Sequence, residues 1–248
     1  MGDGGVKRMD ITEHTFSSET LGYSRKVWIT DSRHAPAGKR HVCLFLDAEF
    51  YLNRMEAAEI MDAMSIDGAN MPCVGVFVSN QSAEDRHHDY TCNSKYGDFI
   101  AVELMDWISN LLPDTDPSGN LIVGLSLSGL ASAHIALSHP TRFSRAICQS
   151  GSFWWNGEWI AENAQSLSST KGRFWLSVGD RETESGVVHA PTGLRQDVCQ
   201  LAACERAAQA LSSLGHTVRF NRFAGGHDTV PWKAELPSAL KWSVEPQD

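Results

Sequence analysis

Several absences narrow the field before any motif is read. No apolar run comes near the roughly 18–20 residues that span a bilayer, so no membrane-crossing helix and no membrane partner are expected of these 248 residues. The opening Met-Gly-Asp-Gly-Gly-Val-Lys-Arg is polar and lacks the apolar stretch of a signal peptide. No cluster of Lys and Arg offsets a formal net charge of −9, built from 21 basic and 30 acidic residues, so attraction to a phosphate backbone is not expected and nucleic acid is excluded as a partner. The six cysteines contain no CxxC pair, and Cys43, Cys73 and Cys148 lie inside apolar runs. Free buried thiols in a reducing compartment fit that usage, so a cytoplasmic location is expected. No histidine pair stands four apart with acidic company on one helix, so neither a metal site nor a cofactor is expected.

What is present is an alternation of strand-like and helix-like segments. Residues 25–30 (RKVWIT) alternate polar and apolar, as a half-exposed strand does. Residues 42–46 and 74–79 are short continuous apolar runs, the pattern of strands covered on both faces, and 121–124, 146–150, 173–178 and 217–223 follow it. Between them, helices are predicted over 53–66, 97–112, 127–137 and 195–214, the last ending at Gly215 as a C-cap. Strands alternating with helices predict an α/β fold, a mostly parallel sheet with helices on both faces. Neither an internal repeat nor a low-complexity linker interrupts the chain, so one domain over 1–248 is expected, with 1–18 a peripheral or poorly ordered segment. Residues 182–192 are the least regular stretch and are expected to form a surface excursion near the site.

The most informative run is LIVGLSLSGLA, residues 121–131. A serine hydroxyl becomes a useful nucleophile when its oxygen stands clear of the backbone beside a base. A tight strand-to-helix turn does this, but crowds the positions two before and two after the serine. Gly124 and Ser128 are small enough there, and an apolar strand precedes Ser126 while a helix-compatible run follows it. Centring the motif on Ser128 would put Leu130 at a crowded position, so Ser126 is the predicted nucleophile.

In the order nucleophile, acid, histidine, the base comes late, on a loop after the last strand. Of ten histidines, only His227, in the run FAGGHD, has that setting. The acid is expected after the strand ending at 178, where Asp180, Glu182 and Glu184 compete and spacing does not rank them. One oxyanion donor is expected from the backbone N–H of Leu127, and a second from the Asp47-Ala48-Glu49 loop. His87 and His88 read as an exposed pair, and Phe153, Trp154, Trp155 and Trp159 can serve simply to cap the sheet.

With these residues in view, the chain resembles the enterobactin (enterochelin) esterases within the esterase D-like α/β-hydrolases. The resemblance is carried by GLSLSGLASAHIALSHPTRFSRAICQSGSFWW (124–155), by AGGHDTVPW (224–232), by Arg86…Asp89…Cys92-Asn93 and by LDAEF (46–50), and covers about residues 20–243. It implies an α/β-hydrolase fold, with Ser126 as nucleophile, His227 as base and Glu182 as acid. It also implies Glu49 and Leu127 as oxyanion donors, Trp154, Trp155 and Trp232 flanking a pocket, and Arg86 as a cation at its mouth. Ala48 and Ser128 stand where the family carries glycines, and the separate N-terminal domain of the cytoplasmic enterobactin esterases is expected to be missing. The expected activity is hydrolysis of small-molecule carboxylic esters, with a catecholate trilactone siderophore as first substrate. A general carboxylesterase or a carbohydrate (acetyl or feruloyl) esterase is the alternative, and an acyltransferase or an inactive binding module the remoter ones. Nothing in the sequence fixes an oligomeric state.

Overall fold

A computed structural model describes residues 10–31, 39–66, 73–167 and 170–245. The chain opens with β1 (Asp10–Ser17) and β2 (Ser24–Asp31), followed by β3 (His41–Leu46), α1 (Ala48–Asn53), α2 (Ala57–Ile66) and β4 (Cys73–Val78). Next come α3 (Ala83–Tyr90), α4 (Ser94–Asp98), a π-helical segment Phe99–Leu104, α5 (Met105–Leu111), β5 (Asn120–Leu125) and α6 (Ser126–Ser138). The remainder is β6 (Phe143–Gln149), α7 (Trp155–Leu167), β7 (Arg173–Gly179), β8 (Val187–His189), β9 (Leu194–Gln196), α8 (Gln200–Ser213), β10 (Thr217–Phe223) and α9 (Thr229–Val244).

Eight strands form one sheet in the order β1-β2-β4-β3-β5-β6-β7-β10. β1 pairs antiparallel with β2 and β2 antiparallel with β4, while every pairing from β4 to β10 is parallel. This is the mostly parallel sheet that the alternation predicts, in the α/β-hydrolase arrangement that the resemblance implies. Successive side chains of a strand point to opposite faces, and β4, β5 and β7 are buried along their whole length at both, whereas β10, expected to be covered on both faces, is the edge of the sheet and alternates exposed with half-buried residues. Val42, Leu44 and Leu46 of β3 join the larger core, beneath α3 to α8, whereas Cys43 and Phe45 join the second core, beneath α1, α2 and α9. Burying both faces leaves the strand ends as the places where polar chemistry can be exposed.

Several boundaries differ from the sequence reading. The segment expected to be peripheral or poorly ordered is in part an ordered edge strand, β1; residues 1–9 lie outside the described residues. The helix predicted over 53–66 begins only at Ala57, after Glu56, whose φ of 53° is left-handed, and a separate short helix, α1, precedes it. The one predicted to start at 195 starts at Gln200, because Leu194–Gln196 pair with Val187–His189 as a hairpin. Cross-strand pairing there overrides a helix-favouring composition. All six cysteines are free. Among the described residues, no helix is long and apolar enough to cross a membrane.

Candidate active site

Five loops leave the C-terminal ends of parallel strands at one edge of the sheet. They follow β3 (Asp47–Glu49), β5 (Ser126), β6 (Ser150–Trp154), β7 (Asp180–Glu182) and β10 (Ala224–Asp228). The predicted nucleophile, base, candidate acids and Trp154 come from this edge because an α/β sheet leaves its strand ends open on that side, whereas Arg86, Trp155 and Trp232 lie in α3, α7 and α9.

Ser126 has a φ of 53°, in the left-handed region that L-residues seldom adopt. The turn that holds it depends on Gly124, where a Cβ would lie 2.2 Å from the carbonyl oxygen of Ser128. Ser128 is fully buried, and its hydroxyl donates to the Leu125 carbonyl (2.7 Å) while accepting from the Leu125 N–H (2.9 Å). Its side chain therefore adds a local brace to the elbow. At Gly129 a Cβ would lie 3.0 Å from the Cα of Gly151, so the first turn of α6 sits directly on the loop after β6.

His227 Nε2 lies 2.9 Å from Ser126 Oγ, and His227 Nδ1 lies 2.6 Å from Glu182 Oε2. The residues 126 and 227 are thus brought within hydrogen-bonding reach from 101 positions apart. Glu182 is buried, and its other oxygen, Oε1, accepts from the Ser150 hydroxyl (2.6 Å) and the Gly179 N–H (2.8 Å). Asp180, the competing acid, is occupied elsewhere. Its Oδ1 accepts the Gly225 N–H at 2.9 Å, and its own N–H donates to Phe223, so it ties the acid loop to the histidine loop. Glu184 is exposed and lines the adjoining cavity.

Beside Ser126 opens a cavity of about 520 Å³, within the range of small-molecule clefts. One wall is the β8–β9 hairpin, which contributes Val187, His189, Leu194 and Gln196, so the irregular stretch 182–192 does border the site. Trp154 lines the cavity, stacked on His189 with ring centroids 5.1 Å apart, and its indole N–H donates to Gln200. Leu127 also lines it.

Other predicted residues sit differently. Trp155 packs against the core edge with Trp159, 6.4 Å between ring centroids, and is not among the cavity-lining residues. Trp232 is buried behind the site rather than in the cavity wall, since its indole N–H donates to Ser150 Oγ (2.9 Å) and its ring meets His227 edge-on. Arg86 does line the cavity, but its guanidinium is committed to Asp47, with Nε 2.8 and 3.0 Å from the two carboxylate oxygens and Nη2 2.7 Å from Oδ2. Burial works against its charge, yet the Asp47 charge and hydrogen bonds outweigh burial and hold Arg86 above the usual guanidinium range. Asp47, in left-handed conformation, also accepts from Asn80 Nδ2 at 2.8 Å. Glu49 lies in the first turn of α1, with its carboxylate tied to Ser79 and to the Asn80 N–H. The N–H groups of a helix's first turn have no partner within the helix, and that is the chemistry an oxyanion donor needs.

Sequence reasoning passed over Ser150, Gln200, His189 and Arg181, and read His87 as exposed although it lines the cavity. Only the SGS run at 150–152 carried a signal for one of them.

A nucleophile-like hydroxyl, an imidazole and a buried carboxylate in series can activate the hydroxyl for attack on a carbonyl. Comparison with known proteins agrees in kind. Residues 18–243 match the family model described as "Putative esterase". The iron(III) enterobactin esterase of Dickeya dadantii is 28% identical over 96% of this chain and 56% of its own length. The chain thus spans little more than half of the curated relatives it matches. The crystal structure of the Shigella flexneri enterobactin esterase in the presence of enterobactin superposes with a TM-score of 0.80 at 25% identity, covering 94% of this chain and 58% of that one. The BES protein of Bacillus cereus, 18% identical with a TM-score of 0.76, shares the fold over 99% of this chain and all of its own length.

Proposed function

The chain belongs to the esterase family, and from that premise we propose that it hydrolyses carboxylic esters through Ser126, His227 and Glu182, with siderophore esters as its substrates. The observation that carries the reading is the unbroken series Ser126 Oγ–His227–Glu182, with separations of 2.9 and 2.6 Å. His227 takes the Ser126 proton on Nε2 as Oγ bonds to the ester carbonyl carbon. The tetrahedral oxyanion is met by the backbone N–H groups of Leu127 and Glu49. His227 then hands its proton to the departing alcohol, and water, deprotonated by the same imidazole, releases the acid from Ser126. Glu182 holds the imidazole in the tautomer with its proton on Nδ1 and offsets its transient positive charge. The catecholate trilactone is the favoured substrate because the curated relatives covering nearly the whole chain are named as iron(III) enterobactin esterases.

Ser126→Ala is expected to lower kcat on p-nitrophenyl butyrate by about three to six orders of magnitude and to abolish labelling by a fluorophosphonate probe. Retention of wild-type hydrolysis by Ser126→Ala refutes the mechanism. Rates on a panel of siderophore, feruloyl and simple aryl esters test the substrate, and a preference for feruloyl or aryl esters refutes the siderophore assignment alone.

A further inference from the structure

The indole of Trp232 touches the proposed base and, through one hydroxyl, the proposed acid. Its ring stands perpendicular to the imidazole of His227, with 4.8 Å between centroids and 89° between planes. Its N–H donates to Ser150 Oγ at 2.9 Å, and Ser150 Oγ lies 2.6 Å from Glu182 Oε1. An indole N–H can only donate, and an ionised carboxylate can only accept. The Ser150 hydroxyl must therefore accept from Trp232 and point its single proton at Glu182. Its direction is fixed by its neighbours. With the Gly179 N–H on the same oxygen, Oε1 is held by two donors, and Oε2 is left to face His227 Nδ1.

The anchoring behind this relay is stiff. Ser150 is fully buried with a φ of 43°, a conformation that costs a non-glycine residue about 1 kcal/mol or more, and neighbours hold it there. Its N–H donates to the Ser177 carbonyl at 2.8 Å, and its own carbonyl accepts from Gln200 Nε2. Trp232 is fixed as well, because Gln149 Nε2 donates to its carbonyl at 2.8 Å and to Glu235 one turn further along α9 at 2.9 Å. Three elements that leave different strands are thereby joined: the end of β6, the loop after β7 and the first turns of α9, just beyond His227.

We propose that Ser150 and Trp232 are positioning residues: Ser150 sets the plane and charge of the Glu182 carboxylate, and Trp232 locks Ser150 while seating the imidazole. This rests on the hydrolase reading of Ser126, His227 and Glu182. It gives Trp232 a place behind the machinery in place of one against the substrate.

The test is a double-mutant cycle with the full chain and p-nitrophenyl butyrate, each rate normalised to active sites counted by fluorophosphonate titration. Ser150→Ala is expected to lower kcat by about 10- to 100-fold, the scale of losing one charge-assisted hydrogen bond, with KM within about twofold of wild type. In a Glu182→Ala background the same change is expected to cost nothing further, since residues acting as one unit are non-additive. A contact that merely supports the fold would cost the same in both backgrounds. Ser150→Gly relieves the left-handed strain while removing the hydroxyl, so it should match Ser150→Ala in kcat, and Trp232→Phe, which removes the donor with the rest of the pyrrole ring but keeps an aromatic ring beside His227, should lose less. A kcat within about twofold of wild type for both Ser150 variants, equal losses in the two backgrounds, or failure of all three variants to fold overturns the assignment. Ser126→Ala, run alongside, separates the two claims. If it stays active the hydrolase reading fails, and if it is dead while the Ser150 variants are unimpaired only the positioning role fails.

Discussion

Replacing Arg86 by alanine tests whether that guanidinium serves the substrate or the protein. As a free cation at the cavity mouth, its loss would raise KM for anionic catecholate esters and leave neutral esters alone. The geometry argues for the other role. Asp47 has no exposed side-chain surface, Arg86 has 20%, and the two are joined through both carboxylate oxygens. Breaking a buried pair by removing one partner costs about 3–5 kcal/mol. Asn80 still donates to Asp47 at 2.8 Å, so the lower end applies, about 3 kcal/mol. For a chain of this size that is a fall of about 6–12 °C in melting temperature. Asp47→Asn on top of Arg86→Ala should recover at least half of that fall, because no charge is then stranded and asparagine tolerates the φ of 59° that Asp47 adopts. Since Asp47 directly precedes the Ala48-Glu49 backbone proposed to bind the oxyanion, kcat should drop about 10- to 100-fold on neutral and anionic esters alike. Differential scanning calorimetry and parallel kinetics on both ester classes read this out. A melting point within about 2 °C of wild type, with a KM effect confined to anionic esters, would refute the reasoning.

The two candidate acids should separate cleanly. Glu182→Gln is expected to lower kcat by about 10²–10⁴, while Asp180→Asn, whose amide oxygen can still accept the Gly225 N–H, should stay within about tenfold; the reverse ranking in steady-state kinetics would reassign the acid. His134, buried in α6 against Trp159, has its pKa pushed down to about 4, first by burial and then by the charge of His139. The unfolded chain therefore takes up a proton that the folded one refuses as pH falls from about 6.5 to about 4, so stability is lost through that window and unaffected above it, by about 3 kcal/mol in total. His134→Gln should flatten the fall in melting temperature between pH 7 and pH 4.5, and an unchanged slope would show that the titration lies elsewhere.

The parts of this molecule that could be read from the sequence are those whose physics is local. Strand β10 is predicted at its observed limits because a continuous half-apolar run bounded by Gly215 and the glycines at 225–226 leaves few alternatives. Ser126 is legible because the elbow imposes small residues at fixed offsets, and the 2.2 Å clash that any Cβ at Gly124 would meet is the reason for that requirement. His227 is legible because a loop after the last strand must be flexible enough to reach back. The acid is different. Asp180 and Glu182 share one loop and one charge, and they differ in which strand end their carboxylates face, a matter decided by Gly225 on one side and Ser150 on the other. The same holds for Arg86, where the sequence reports a cation but its partner lies 39 positions away, so whether its charge is free or cancelled depends on a contact no spacing encodes. Ser150 is the extreme case, a small polar residue among many, whose significance depends on an indole 82 positions later in the chain. Motifs mark the groups proposed to react, whereas the groups proposed to aim them are chosen by which loops the sheet brings side by side. The edge where five strand ends converge is therefore the place to look for residues like Ser150, and the Glu182→Ala cycle is the measurement that tells an aiming residue from a packing one.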